Sequence, residues 1–311
     1  MQVPHKGKSS YTNLDPTRII GSGSFGFVFE AIDNDTKQTV AVKRTQKAGE
    51  YVSREYEVLN ELKKCKNVVK MLEIYYSKDS QKKTAQNLVF EYCSQNLEEI
   101  IQQKKQEGGK IEMKEIKDYM RQILTGMKDV HEKGIAHRDL KPENILKNEE
   151  GVIKICDFGS AKVLHDKLNT PYIVSRYYRA PELILACSDY TNMIDIWAIG
   201  CIFAEFMTLR PLFPGKTEGS QFIEQVAVLG LPKEEVLRKI SSQITQNTID
   251  LVHSLDDIPP RKIEELLPFK DYHPSDVKEA ADLLSKMLRW IPSERITCKE
   301  ALKHPFFGKK R

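Results

Sequence analysis

The chain of 311 residues lacks most of what would mark a membrane, secreted or metal-scaffolded protein. Its longest apolar run, 196–204, is far shorter than the roughly 20 residues needed to cross a bilayer. Residues 1–10 are polar and include Pro4 and Gly7, which does not read as a secretory signal. The six cysteines, at 65, 93, 156, 187, 201 and 298, form no C-x-x-C pair. That argues against a zinc site or a disulfide framework and fits a reducing compartment. Charge of one sign is also missing. The 48 basic and 44 acidic side chains leave a formal net charge of only +4, too mild to imply nucleic acid or a membrane surface as partner. No internal repeat or long low-complexity tract occurs. What remains is an ordinary globular composition, 40% hydrophobic and 30% charged, in a chain long enough to bury a sizeable core.

Residues 17–44 alternate in the manner of strands, with a glycine-rich turn at 21–26 and a polar turn at 33–37. Two antiparallel strands are the simplest reading. A helix is expected over 51–64, with Glu55, Val58, Leu59 and Leu62 on one face. A carboxylate on that apolar stripe must either snorkel or meet a buried cation. Strands follow near 68–76 and 87–92. After Cys93 the pattern turns helical. Met113, Ile116, Met120, Ile123, Met127 and Val130 make a long apolar stripe, and Gly134 sits where that helix should stop. A more buried helix is expected over 192–208, and Thr297 with Glu300 has capping-box spacing before a last short helix. A strand-rich part followed by a helix-rich part predicts two packed units with a cleft between them.

Four segments carry chemistry. Gly21-Ser22-Gly23-Ser24-Phe25-Gly26-Phe27-Val28 is a G-x-G-x-x-G-x-V loop, in which glycines let backbone N–H groups approach phosphates. A strand rather than a helix follows it, which points away from a dinucleotide fold. Val40-Ala41-Val42-Lys43 places one lysine on a strand, and Glu55, twelve residues on, is the partner a half-buried lysine needs. The stretch His137-Arg138-Asp139-Leu140-Lys141-Pro142-Glu143-Asn144 lies on a loop after the long helix. There Asp139 can orient a hydroxyl and accept its proton, Lys141 can stabilise a transferring phosphate, and Asn144 can hold a metal. Asp157-Phe158-Gly159 follows a strand-like stretch, and its carboxylate can bind Mg²⁺. Ala180-Pro181-Glu182 closes the segment that begins at Asp157.

In this order the parts resemble the protein kinase signature, and Lys141 two residues after Asp139 resembles the serine/threonine class. Ile155-Cys156-Asp157-Phe158-Gly159-Ser160-Ala161-Lys162 and Tyr172-Ile173-Val174-Ser175-Arg176-Tyr177-Tyr178-Arg179-Ala180-Pro181-Glu182 resemble more narrowly the glycogen synthase kinase 3 family, within the CMGC group. Arg54-Glu55, Ser10-Tyr11-Thr12 and Leu212-Phe213-Pro214-Gly215 add to that likeness, which covers roughly 10–307.

The resemblance implies an α+β, bilobal eukaryotic protein kinase fold: an extension over 1–16, a small β-rich lobe over 17–92 and a larger helical lobe over 93–311, the domain spanning about 17–307. It implies ATP and Mg²⁺, with phosphate passed to serine or threonine of protein substrates. Nucleotide contacts fall on Ile20 to Gly26, Val28, Ala41, Lys43, Leu146 and Cys156, on Phe90 as gatekeeper, and on a hinge of Glu91, Tyr92 and Cys93. Asp139, Lys141, Lys43 and Glu55 are the catalytic set, and Asn144 and Asp157 the metal ligands. Tyr172 is implied as the phosphorylated tyrosine of the activation segment, and Arg54, Arg138 and Lys162 as a pocket for a phosphate already on the substrate, four residues C-terminal to the target. Three such cations repel unless an anion joins them, and a phosphoserine brings close to −2 charge. Glu182 and Arg295 resemble a structural ion pair, and Asp195 the carboxylate that braces the catalytic loop. Trp197 reads as core, and His131 and His137 as structural, since neither has metal-ligand spacing. The expected location is the cytoplasm, with the nucleus as a second compartment.

Two departures limit what carries over. No arginine precedes Arg18, and Ser9 has only Lys6 three residues upstream, so the tail-phosphorylation control of animal members is not expected. The stretch 236–267, which includes the scaffold-docking loop of relatives, diverges, and scaffold partners stay open. Two alternatives also stand. Thr170-Pro171-Tyr172 formally matches the T-x-Y lip of a mitogen-activated kinase, although Arg54 and the D-F-G-S-A-K string argue otherwise. An inactive scaffold would be expected to have lost Lys43, Asp139 or Asp157, and all three are present.

Overall fold

The computed structural model describes residues 14–23, 26–46, 53–78, 82–164 and 176–308. The chain divides into two compact units. The first contains Met1–Gln95 and Leu146–Gly159, the second Asn96–Ile145 and Ser160–Arg311.

The first unit is built on a five-stranded antiparallel sheet of β1 (Leu14–Gly23), β2 (Gly26–Asp33), β3 (Thr39–Gln46), β4 (Met71–Lys78) and β5 (Thr84–Glu91), in the order β1-β2-β3-β5-β4. Two turns over 17–44 therefore join three strands, not the two expected, because each turn closes a hairpin of its own. Gly26 shows why the first turn needs glycine: its φ is +152°, and a Cβ there would sit 2.0 Å from the Arg44 carbonyl oxygen on β3. Alternation gives the sheet two faces. Phe29, Ala31, Val40, Val42 and Val89 pack together on one, and Val28, Ala41 and Lys43 fall on the other.

Helix α1 (Arg54–Glu61) starts at Ser53, whose Oγ accepts the Tyr56 amide and the Gln86 side-chain amide, so its first turn is tied to β5. Glu55, Val58, Leu59 and Leu62 are all buried, as their spacing predicts. The sequence reading put 146–159 with the helices, but backbone bonds hold it to the strands. Val69 N donates to Ile155 O and Ile155 N to Asn67 O, each at 2.9 Å, and Lys154 pairs with Glu91 at 2.8 Å. These bonds bring Asp157 into the same body as Lys43.

The second unit is helical: α2 (Leu97–Gln106), α3 (Met113–Glu132), α4 (Pro181–Ile184), α5 (Met193–Thr208), α6 (Glu218–Leu229), α7 (Glu234–Ile240), α8 (Gln246–His253), α9 (Pro274–Met287) and α10 (Cys298–Ala301). The apolar stripe of α3 is buried from Ile116 to Val130, and Gly134, at φ 70°, ends it. Helix α5 is buried almost all round, which a membrane-like run in a short helix requires. On it Trp197, fully buried, stacks on Phe213 at 5.5 Å, and Phe203 meets Phe306 at 4.9 Å. Thr297 and Glu300 form the expected capping box on α10. The divergent stretch 236–267 closes a second core in which Leu237, Ile240, Ile244, Ile249 and Val252 pack on Phe222 and Val226 of α6. Among the described residues no helix is long and apolar enough to cross a membrane.

Candidate active site

In the first unit one cation sits between two carboxylates. Lys43 Nζ lies 2.8 Å from Glu55 Oε1 and 2.7 Å from Asp157 Oδ1. Burial alone would pull the lysine's pKa down, but the two carboxylates outweigh it and hold the ammonium above its ordinary range. The two anions differ. The Glu55 side chain is 8% exposed and fixed by α1, whereas the Asp157 side chain is 44% exposed and sits on a strained backbone, φ 60°. A side chain on Gly159 would come within 3.2 Å of Asp157 Oδ1 and 3.4 Å of Lys43 Nζ, so glycine keeps this cluster open. Lys43 can thus be presented to an anion without losing its helix partner, and Asp157 can turn an oxygen to a metal.

In the second unit a buried carboxylate organises the loop 137–144. Asp195, near the start of α5, accepts the His137 amide and the His131 Nε2 edge through Oδ2 and the Arg138 amide through Oδ1, each at 2.9 Å. Burial pushes its carboxyl up, but His131 and the loop amides hold it below its usual range. The loop is bent through Arg138, at φ 70°. Asp139 is then set from both sides. Its amide donates to His137 Nδ1 at 3.2 Å, and Asn144 Nδ2 donates to its carbonyl at 2.8 Å and to Oδ2 at 3.2 Å. With both N–H groups of Asn144 turned to Asp139, the amide's oxygen is the atom left to face a ligand.

The protein kinase domain model matches residues 14–307. The chain belongs to the protein kinase family. Protein kinase gsk3 of Schizosaccharomyces pombe is 38% identical to it over 307 residues, 97% of this chain and 75% of that protein. A Dictyostelium discoideum relative named "Probable serine/threonine-protein kinase glkA" is 36% identical over 288 residues, 92% of this chain. The chain spans 57% of that second protein's length. This is a glycogen synthase kinase 3-like serine/threonine protein kinase, and its phosphate donor is ATP.

The remaining expected residues of this kinase are distributed as follows. Gly21 pairs with Val28 across the β1–β2 hairpin, Phe90 is buried on β5 opposite Ala41, and Glu91 ends that strand. Ser24, Phe25 and Tyr172 lie outside the described residues. Burial pushes the Cys93 thiol up to about 12 and the Cys156 thiol up as well, so neither is a ready nucleophile. Arg54 opens α1 and is exposed. Lys141 is half-buried, 4.0 Å from Glu143. Lys162 is buried on a short strand paired with Ile135–Ala136. Arg138 is buried as well, donating from Nε to Ser160 O at 2.6 Å and from Nη1 to Tyr190 Oη at 2.7 Å. Glu182 and Arg295 form a two-pronged pair, 2.7 Å on each prong and almost wholly excluded from water.

Sequence reasoning missed one contact of consequence. Tyr178 Oη, in the segment before Ala180-Pro181-Glu182, donates at 2.8 Å to Glu205, a buried carboxylate on α5. Burial pushes that carboxyl up to about 7. A glutamate inside an apolar helix pattern was the one available signal.

Proposed function

We propose that this kinase transfers the γ-phosphate of ATP to serine or threonine in proteins already phosphorylated four residues C-terminal to the target. Lys43, held by Glu55, neutralises the nucleotide phosphates. Asp139 orients the acceptor hydroxyl and takes its proton, and Lys141 offsets charge on the phosphate in transfer. The nucleotide is held by the glycine-rich hairpin and by the strand end at Glu91, Tyr92 and Cys93. The side-chain oxygens of Asn144 in the second unit and of Asp157 in the first are each hard donors that suit Mg²⁺. When bound, it supplies charge neutralisation at the phosphate oxygens. Among the described residues no three acidic, histidine or cysteine side chains cluster as a metal cage.

Arg138 carries the substrate preference. Its buried guanidinium is met by a carbonyl and a phenol, and among the described residues no carboxylate pairs with it. A buried cation whose acceptors among the described residues are neutral is satisfied in hydrogen bonds but not in charge, so it favours an incoming anion. Lys162, buried in the same unit, is a second cation for phosphoserine, and the family resemblance assigns Arg54 the same role.

The test is turnover of two peptides that differ only in phosphoserine or serine four residues C-terminal to the target serine. A preference for the primed peptide of about tenfold or more is expected, and Arg54→Ala should remove most of it while sparing the unprimed peptide. Equal turnover of the pair would leave a serine/threonine kinase without the priming pocket.

A further inference from the structure

Strand β1 is an edge strand, and its pairing with β2 is broken twice. The register slips between Pro16 and Arg18 and again between Ile19 and Gly21, so Thr17 and Ile20 are extra residues opposite no partner. Such bulges re-aim side chains and weaken the ladder that holds an edge in place. Here the weakened strand carries Ile20 and the first glycines of the phosphate loop.

The first bulge aims two successive side chains at one carboxylate. Thr17 Oγ1 donates to Glu30 Oε1 at 2.8 Å and Arg18 Nε donates to Glu30 Oε2 at 3.0 Å. Arg18 Nη2 also reaches Tyr92 Oη at 3.0 Å. Register places this cluster. Arg18 faces Glu30, Glu30 faces Ala41, and Ala41 faces Phe90, one row across four strands, with Tyr92 two residues further on. Cross-strand partners share a face, so the row lies on the side of the sheet that carries Lys43. Glu30 accepts from Thr17 and Arg18, and these bonds, with the Tyr92 phenol nearby, hold its carboxyl below the usual range. An isolated surface ion pair contributes little. This one does more than pair two charges: Arg18 is 63% exposed, but Glu30 is only 17% exposed, and the bonds run in a chain from Thr17 through Glu30 and Arg18 to Tyr92.

We propose that Thr17, Arg18, Glu30 and Tyr92 form a brace that pins the bulged β1 to the strand end at Tyr92 and thereby sets ATP affinity. Arg18 and Glu30 are positioning residues: they act through Ile20 and the glycine loop and do not touch the reacting atoms. This rests on the ATP-binding role proposed above for β1 and the end of β5.

The experiment measures ATP KM and kcat at saturating peptide. Arg18→Met and Glu30→Gln should each raise ATP KM about threefold to tenfold, with kcat and peptide KM changed by less than about twofold. The swap Arg18→Glu/Glu30→Arg keeps a donor, an acceptor and the tyrosine, and should return ATP KM to within about twofold of wild type. Unchanged ATP KM in both single variants, or a loss in kcat that the swap does not rescue, overturns the brace. Lys43→Ala run alongside separates the two readings. An inactive Lys43→Ala beside an unchanged Arg18→Met overturns the brace alone, and a fully active Lys43→Ala overturns the ATP site and the brace with it.

Discussion

Glu55 and Glu205 are both buried carboxylates on helices, one in each unit, 7% and 2% exposed. Glu55 meets the ammonium of Lys43. Among the described residues Glu205 meets the phenol of Tyr178 and no cation, with Glu98 and Glu143 adding repulsion and Lys105 a small relief. Burial costs a carboxylate its ionised form unless a cation repays it. So Glu205 is pushed up to about 7 and sits between charge states near neutral pH. Glu182 is the third case, buried as deeply but matched on both oxygens by Arg295. Counter-charge, not depth, decides what a buried glutamate does in this kinase.

The largest effect expected from breaking this comparison is at Lys43. Lys43→Met should lower turnover by about 10²- to 10³-fold, because the phosphates lose their cation and Glu55 loses its partner. Glu55→Gln should cost less, since Asp157 still contacts the lysine. Steady-state kinetics on one peptide checks both. Equal losses in the two variants would mean that Glu55, and not the lysine's own charge, is what the reaction needs.

Next in size is Arg295. Arg295→Met strands Glu182 in the core and should lower unfolding free energy by about 3–5 kcal/mol, read from the denaturant midpoint. The double variant Glu182→Leu/Arg295→Met removes the stranded charge and should recover part of that loss. A double variant no better than the single would show that the remaining Arg295 bonds, to the carbonyls of Met193, Arg289 and Trp290, matter more than the ion pair.

How much of this was legible in the sequence follows the same division. Glu55 could be read because it broke an apolar stripe twelve residues after a strand lysine, and local spacing names both partners. The loop 137–144 and Asp157 were legible as ordered motifs. The third strand of 17–44 was available too, since two turns must join three strands. Tyr178 with Glu205, and Arg138 with Tyr190, join residues 27 and 52 positions apart through tertiary packing, and no local period encodes that. The placement of 146–159 with the first unit was hidden for the same reason, as it depends on bonds from Ile155 back to Asn67 and Val69.

The smallest effect sharpens the comparison most. Glu205 has its folded pKa raised to about 7 from an ordinary value of 4.5. Below about pH 4.5 the carboxyl is protonated in both folded and unfolded chains and costs nothing. Between about 4.5 and 7 the unfolded chain releases the proton while the folded one keeps it, so stability falls as pH rises. Above about 7 both are ionised and the loss is constant, at most about 3 kcal/mol from a shift of this size. Glu205→Gln keeps an acceptor for Tyr178 and removes the titration. At pH 8 it should therefore be more stable than wild type by about 1–3 kcal/mol, and at pH 5 nearly equal to it. Tyr178→Phe should carry the wild-type fall in stability to higher pH, because Glu205 then loses the Tyr178 hydrogen bond that favours its ionised form. Thermal melts of the three proteins from pH 5 to 8 decide this. Parallel curves for wild type and Glu205→Gln would mean that water or Lys105 compensates the charge, and that Glu205 belongs with Glu55 after all.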